Sequence, residues 1–493
     1  MRKILLGTTA VVGLALVAPV ANAQQARPAA RPAAAPAAPP ALPATSVAPT
    51  GTAAALFQTP VGITGAGPHG ADGIPNRPTT PTTSGIIVRL GGFFDFSMGN
   101  VSDDADKGQW RNRIGGVNTA QGRQRNDFRT EAEINLYADG VAANGMRYGA
   151  VFELQMDNLA AGSGTGVDYD ELYGFVKGSW GELRFGQEDA AANLMQVRRP
   201  SVLWMGTDDA WDEFVVQGGS TFGGSPYIMS GLTDGSDKTK IIYLSPQFFG
   251  FDVGFSYAPN DGEGERTQRA DSTAEFQRDR TRIENEISAI LRYRGTFGPV
   301  GVRTSLGGVW GDAPSLNANG TPADPKQQNV TAYSAGLLFS AFGFQVGGEY
   351  TWGNYNGTAP AGAALNRGLD GSSHWIGSAV YTIGAFSVGA MYGQGKQDNG
   401  TSSGAAGQSA AGTPLSDRTQ TYIGVGVSYV LAPGMTLFAN WNQIEDENLP
   451  TAAPSVRGNG GAAGTTLANF GTNASPDNTR DITVLVAGVR IAF

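Results

Sequence analysis

Cysteine occurs nowhere in the 493 residues, and histidine occurs only at His69 and His374. Without thiols, neither disulfides nor thiolate metal sites can hold an exported chain of this size together. With so few imidazoles, one histidine at most, His374, could act as a general base outside the Ala/Pro-rich stretch described below. Basic residues are in deficit too: 34 Lys and Arg stand against 43 Asp and Glu, a formal net charge of −9, which excludes a general nucleic-acid binder. After residue 23 there is no run of about 18 apolar residues, so no helix of this chain can cross a bilayer. P-loop, H-E-x-x-H and paired-cysteine signatures are missing. The one G-x-S-x-G match, Gly400-Thr401-Ser402-Ser403-Gly404, lies in a Gly/Ser-rich stretch rather than at a strand-to-helix turn, and composition explains it. No cofactor, metal site or catalytic residue is expected.

What is present begins with an export signal. Arg2 and Lys3 precede an apolar stretch from Ile4 to Val20 and a small-residue site, Ala21-Asn22-Ala23, the pattern of a cleaved secretory peptide over residues 1–23. Residues 24–84 turn to Ala, Pro, Thr and Gly, as in Ala26-Arg27-Pro28-Ala29-Ala30-Arg31-Pro32, too poor in core-forming side chains to fold alone. A disordered periplasmic segment is expected there, either a spacer that touches peptidoglycan or a plain flexible tail.

From residue 85 to Phe493 the chain falls into sixteen segments of alternating hydrophobicity, each of about the ten residues that a tilted strand needs to cross a bilayer. They start near Ile86, Arg123, Met146, Asp168, Glu182, Thr239, Phe251, Thr281, Val300, Val330, Phe344, Ser372, Phe386, Thr419, Met435 and Asp481. The connections alternate strictly between short, such as Gly384-Ala385, and long, such as about 189–238. That rhythm predicts an all-β fold, a 16-stranded antiparallel up-and-down transmembrane β-barrel with short periplasmic turns and long external loops. In the second segment Phe128, Ala132, Ile134 and Leu136 share one side while Arg129, Glu131, Glu133 and Asn135 share the other. In the eighth, Ile283, Ile287, Ala289 and Leu291 oppose Arg282, Glu284, Glu286 and Arg292. Sixteen strands enclose a lumen too wide for such side chains to fill, so the apolar set is expected to face lipid and the charged set water. Aromatics near the short turns, among them Trp180, Phe249, Phe342 and Tyr429, are placed for a girdle at the headgroup boundary.

The last segment, Asp481 to Phe493, has apolar residues at alternate positions and ends on phenylalanine. It resembles the terminal strand of the Gram-negative porin superfamily, with Gly488, Ile491 and Phe493 matching the signal read by the barrel-insertion machinery and Val486 standing where a polar residue is common. Gly181-Glu182-Leu183-Arg184-Phe185-Gly186-Gln187-Glu188-Asp189 is similar to the fifth strand of general porins. The resemblance spans roughly Ile86 to Phe493 and is architectural more than one of identity. It implies an outer-membrane channel for passive diffusion of ions and small hydrophilic solutes, surrounded by lipid and lipopolysaccharide and assembled as a homotrimer. It also implies that the loop at about 189–238 folds inward as a constriction. The expected constriction acids are Asp208, Asp209, Asp212 and Glu213. The expected basic partners are Arg89, Arg129, Arg184 and Arg282, each of which alternatively pairs with a neighbouring wall acid. The acidic excess points to weak cation preference. A porin selective for a nutrient such as a sugar stays open, with Trp204 and Trp211 as aromatic steps; a barrel hydrolase and a surface adhesin are weaker rivals.

Overall fold

The computed structural model describes residues 85–104, 124–157, 168–206, 211–215, 238–260, 283–313, 329–354, 371–398, 416–448 and 480–493. The strands are β1 (Ile87–Asp103), β2 (Asn126–Val141), β3 (Arg147–Asp157), β4 (Asp168–Gly178), β5 (Gly181–Gln187), β6 (Thr239–Leu244), β7 (Phe251–Asn260), β8 (Glu284–Phe297), β9 (Val300–Asp312), β10 (Val330–Ala341), β11 (Phe344–Asn354), β12 (Ser372–Ile383), β13 (Phe386–Gln397), β14 (Arg418–Ala432), β15 (Met435–Glu447) and β16 (Arg480–Ala492). Each pairs antiparallel with its neighbours in sequence, and β1 pairs with β16, so the sheet closes into one barrel of sixteen strands. At the seam Gly92 N–H donates to the Phe493 carbonyl at 3.1 Å and Phe493 N–H donates back to Gly92 at 3.0 Å. No described helix is long and apolar enough to cross a membrane.

Period-two patterning becomes two faces. Along β13 the outward Phe386, Val388 and Tyr392 are exposed while the inward Ser387, Gly389 and Met391 are buried. The same outward exposure of apolar residues recurs at Phe185, Ile241, Phe255 and Leu485. Exposed hydrophobic bands on this scale are stable only against hydrocarbon. On β2 the inward set is Glu131, Glu133, Asn135 and Asp139, all buried within the barrel outline.

Two of the short ends are tight hairpins in which both turn residues have positive φ: Phe249 (51°) with Gly250 (92°), and Phe342 (52°) with Gly343 (84°). This is the mirror-image turn whose twist matches the strands. A bulky residue in the left-handed region costs about 1–2 kcal/mol. In return the ring stands at the barrel rim, and Phe249 is 100% exposed.

One facing differs from the sequence expectation. Ile283, read as lipid-facing, is 2% exposed and packs inward. Between Glu284 and Ile287 the register with β9 slips by one residue, and Asn285 takes a φ of 53°. An inserted residue of this kind reverses which way the chain before it faces.

The outward face also marks the depth of the apolar band. On β15 the outward positions change from Leu437 and Trp441 to Gln443 and Glu445, and Val427, paired with Ala439, lies below that boundary. Val427→Arg is therefore expected to cost about 2–4 kcal/mol of folding free energy in a phospholipid bilayer, and Gln443→Arg about 0–1 kcal/mol. Denaturant titration of both variants in vesicles measures the difference, and equal costs would contradict the assigned depth.

Candidate functional site

After β5 the chain turns into the barrel instead of leaving it. A short helix, α1 (Ala191–Met195), packs on the inner faces of β7 and β8. Buried backbone needs partners, and the wall supplies them. Ala191 N–H donates to Ser256 Oγ at 3.1 Å, Ala192 N–H to Ser288 Oγ at 2.7 Å and Val197 N–H to Ser305 Oγ at 2.7 Å. Further on, the Ser378 hydroxyl donates to the Pro200 carbonyl, and Asn440 Nδ2 donates to the Leu203 carbonyl at 2.9 Å. Residues 191–205 thus run as a belt along the inner wall from β7 to β15, and Phe214 and Glu213 lie against β1 and β2.

Glycine makes room for it. A Cβ built on Gly336 of β10 would lie 1.7 Å from the Val197 carbonyl oxygen, and one on Gly99 of β1 would meet the Phe214 ring at 2.5 Å. Where the belt crosses β12 to β16 the inner face is apolar, and Val202, Trp204, Met205 and Trp211 pack against Ile376, Met391, Tyr422, Phe438 and Val484. The interior is therefore not uniformly charged, as simple alternation suggested. Trp204 and Trp211 are both fully buried in this contact, so neither ring offers an aromatic step to a sugar.

Ion pairs pin the belt. Arg199 donates to Glu349 of β11 at 2.7 Å, and Lys238, just before β6, bonds Glu286 of β8. Trp204 Nε1 donates to Asp95 Oδ2 at 2.9 Å, while Arg490 of β16 bonds the same carboxylate at 2.6 and 2.8 Å and lies over the Phe93 and Trp204 rings at 4.1 and 4.5 Å. Near the long-loop end, Arg480 pairs with Asp103 and Arg418 with Asp446, both through two bonds. Two-pronged pairs of this kind offset part of the desolvation of charges held inside.

The residues expected at a constriction separate. Among the described ones Arg129 and Glu213 meet, with Nε 3.6 Å from Oε2, and Arg129 also reaches Glu131 at 3.1 Å. Asp212 is 0% exposed. Arg184 engages Glu182 and Glu188 at 2.8 and 2.6 Å and stacks on Tyr173. Arg89 bonds Asp139 near the short-turn end and lies over Tyr137. Asp208, Asp209 and Arg282 lie outside the described residues. Ile491 and Phe493 face outward and are exposed, while Gly488 lies inward, where a Cβ would meet the Phe438 ring at 2.6 Å. The belt's anchors were missed in the sequence. Their only mark there is small or hydroxyl residues at inward positions: Ser256, Ser288, Ser305, Gly336 and Ser378.

The wall formed by β2, β3 and β4 carries a different population. Glu133, Glu153 and Asp170 bring carboxylate oxygens within 4.8 Å of one another, and Glu171 follows Asp170 in the chain. This acidic wall was not singled out from the sequence, because its members come from three strands and cluster only through register.

Comparison with known proteins adds the following. A family model described as Gram-negative porin matches residues 8–449. Among solved structures, an anion-selective porin from Comamonas acidovorans is 15% identical, with 83% of this chain covering 100% of that one at a TM-score of 0.47. The outer membrane channel DcaP of Acinetobacter baumannii is 12% identical, with coverages of 85% and 100% and a TM-score of 0.48. OmpT of Vibrio cholerae in its trimer form is 13% identical, with coverages of 83% and 100% and a TM-score of 0.46. No curated protein matches the chain.

If the wall groove seats the belt, Gly336→Val must displace it, at about 1–3 kcal/mol for an overpacked contact. Trypsin treatment of the folded barrel reads this directly. The bond after Arg198 is expected to resist cleavage in the parent and to be cut in the variant, and equal resistance would show that the groove does not hold the belt.

Proposed function

The chain belongs to the Gram-negative porin family, and from that premise we propose that its outer-membrane channel is narrowed by the inward belt and biased toward cations by the acidic wall of β2 to β4. The barrel is a water-filled path for passive diffusion of ions and small hydrophilic solutes. The observation that carries the reading is the family match over residues 8–449, to which the closed ring of sixteen strands adds a lumen. Solutes meet the Arg129–Glu213 pair on one side and Glu133, Glu153 and Asp170 beside it. Opposed fixed charges in a wet passage orient water and polar solutes, and the unequal balance sets the ion preference. Asp208, Asp209 and Arg282 belong to this proposal on sequence grounds alone.

The remaining assignments rest on the family resemblance and on sequence. Residues 1–23 direct export, residues 24–84 form a periplasmic segment, and the strand ending in Ile491 and Phe493 is the insertion signal. The assembly is a homotrimer in lipid and lipopolysaccharide, and no catalytic step is assigned to any residue. A nutrient-selective pore through an aromatic staircase is disfavoured, since Trp204 and Trp211 are buried against the wall.

Planar-bilayer recording in a KCl gradient tests the charge preference. The reversal potential is expected to carry the sign of K⁺ selectivity, and to move toward zero in a Glu153→Gln, Glu171→Gln double variant. A potential of the opposite sign in the parent would reject cation preference.

A further inference from the structure

The acidic wall has a geometry that general cation attraction does not require. On β2, Glu133 and Asn135 are successive inward residues, and Asn135 stands directly opposite Glu153 of β3. Between β3 and β4 the register slips, so that Asp170 and Glu171 together face the single residue Glu153. A bulge of this type gathers side chains that a regular ladder would hold apart.

Carboxylate oxygens of Glu133, Glu153 and Asp170 all lie within 4.8 Å of one another. Oxygens bound to one Ca²⁺ at 2.3–2.6 Å can be up to about 5 Å apart, so the spread suits a shared ion. Three carboxylates so close repel strongly unless a positive charge lies among them. The second observation is Asn135, which is 2% exposed. Its Nδ2 donates to Glu133 Oε1 at 2.8 Å, which fixes the amide orientation, and its Oδ1 is buried with no hydrogen-bond donor. A buried acceptor without a donor, next to three acids, is what a cation ligand looks like before the cation is added.

Arg89 reaches Asp139, Arg129 reaches Glu131 and Glu213, Arg184 reaches Glu182 and Glu188, and Lys240 reaches the Glu188 carbonyl.

We propose that Glu133, Glu153, Asp170 and Asn135 form a divalent-cation site on the lumen wall, with Ca²⁺ as its preferred ion. An all-oxygen donor set with no imidazole or thiolate selects a hard cation. Four protein residues leave positions for lumen water, and the uneven spacing of a sheet wall suits the flexible shell of Ca²⁺ better than the strict octahedron of Mg²⁺. This deepens the channel reading, since it places the site in water that the barrel encloses. Occupancy neutralises part of the wall that sets cation preference, so Ca²⁺ acts as a ligand that lowers K⁺ selectivity.

Calorimetric titration of CaCl₂ into the folded, chelator-stripped protein in detergent tests the site, with conductance recorded in parallel on the same preparation. One saturable event with an affinity of about 10⁻⁴–10⁻³ M is expected. Glu153→Gln and Asp170→Asn are each expected to weaken it by at least about tenfold, while Asp104→Asn at the loop end leaves it unchanged. Asn135→Leu removes a neutral ligand without changing net charge and is expected to weaken binding too, which keeps the test open if an acid variant fails to fold. Absence of binding in a preparation that conducts would overturn the site and leave the channel standing, as would binding that survives both acid substitutions. A preparation that binds Ca²⁺ as expected but never conducts would count against the channel reading alone.

Discussion

Everything in this molecule follows from the cost of an unpaired backbone amide in hydrocarbon. Lipid offers no hydrogen bond, so each strand must be paired along both edges, and the only sheet without an edge is a closed one. The β1–β16 register, from Phe93 with Ala492 to Asp103 with Ile482, is the contact that removes the last two edges. Once the ring is closed, the sign of each face is set: what touches lipid must be apolar, and what remains inside lines a lumen too wide to fill with side chains.

The belt is a local solution to the same constraint on the inner side. A loop inside the barrel loses water around its amides, and serine hydroxyls on β7, β8 and β9 replace it, while Asn440 and Ser378 serve two of its carbonyls. The apolar stripe on β12 to β16 then buries the belt's tryptophans. Charge is handled by pairing. Where the belt lies, carboxylates such as Asp95 and Glu349 face arginines, whereas on β2 to β4 three acids converge on one another. The lumen is thus asymmetric, with a side lined by the belt and a side where acids cluster.

The fold was legible because its code is repetitive. Strand number, turn lengths and most of the facing follow from a period of two that recurs along the barrel, and the bulge at Asn285 turned Ile283 inward. The site was legible in part. That the loop after β5 carries acids is visible in the sequence, but Asp212 is fully buried while Glu213, its neighbour, meets Arg129. Which of two adjacent acids is buried depends on a single turn of 3₁₀ helix over Asp212–Phe214, and no periodicity encodes that. The acidic wall escaped for a different reason: Glu133, Glu153 and Asp170 are brought together by cross-strand register and a bulge, which are properties of pairs of strands.

Trp204 bonds Asp95, which belongs to β1, and lies against Arg490, which belongs to β16, so one indole clasps the two strands whose pairing completes the ring. Docking of the interior segment and closure of the cylinder therefore share side chains and share free energy. By reciprocity, whatever tightens one tightens the other. The keystone of this arch hangs on the inside, and the segment that lines the lumen is also a buttress of the vessel.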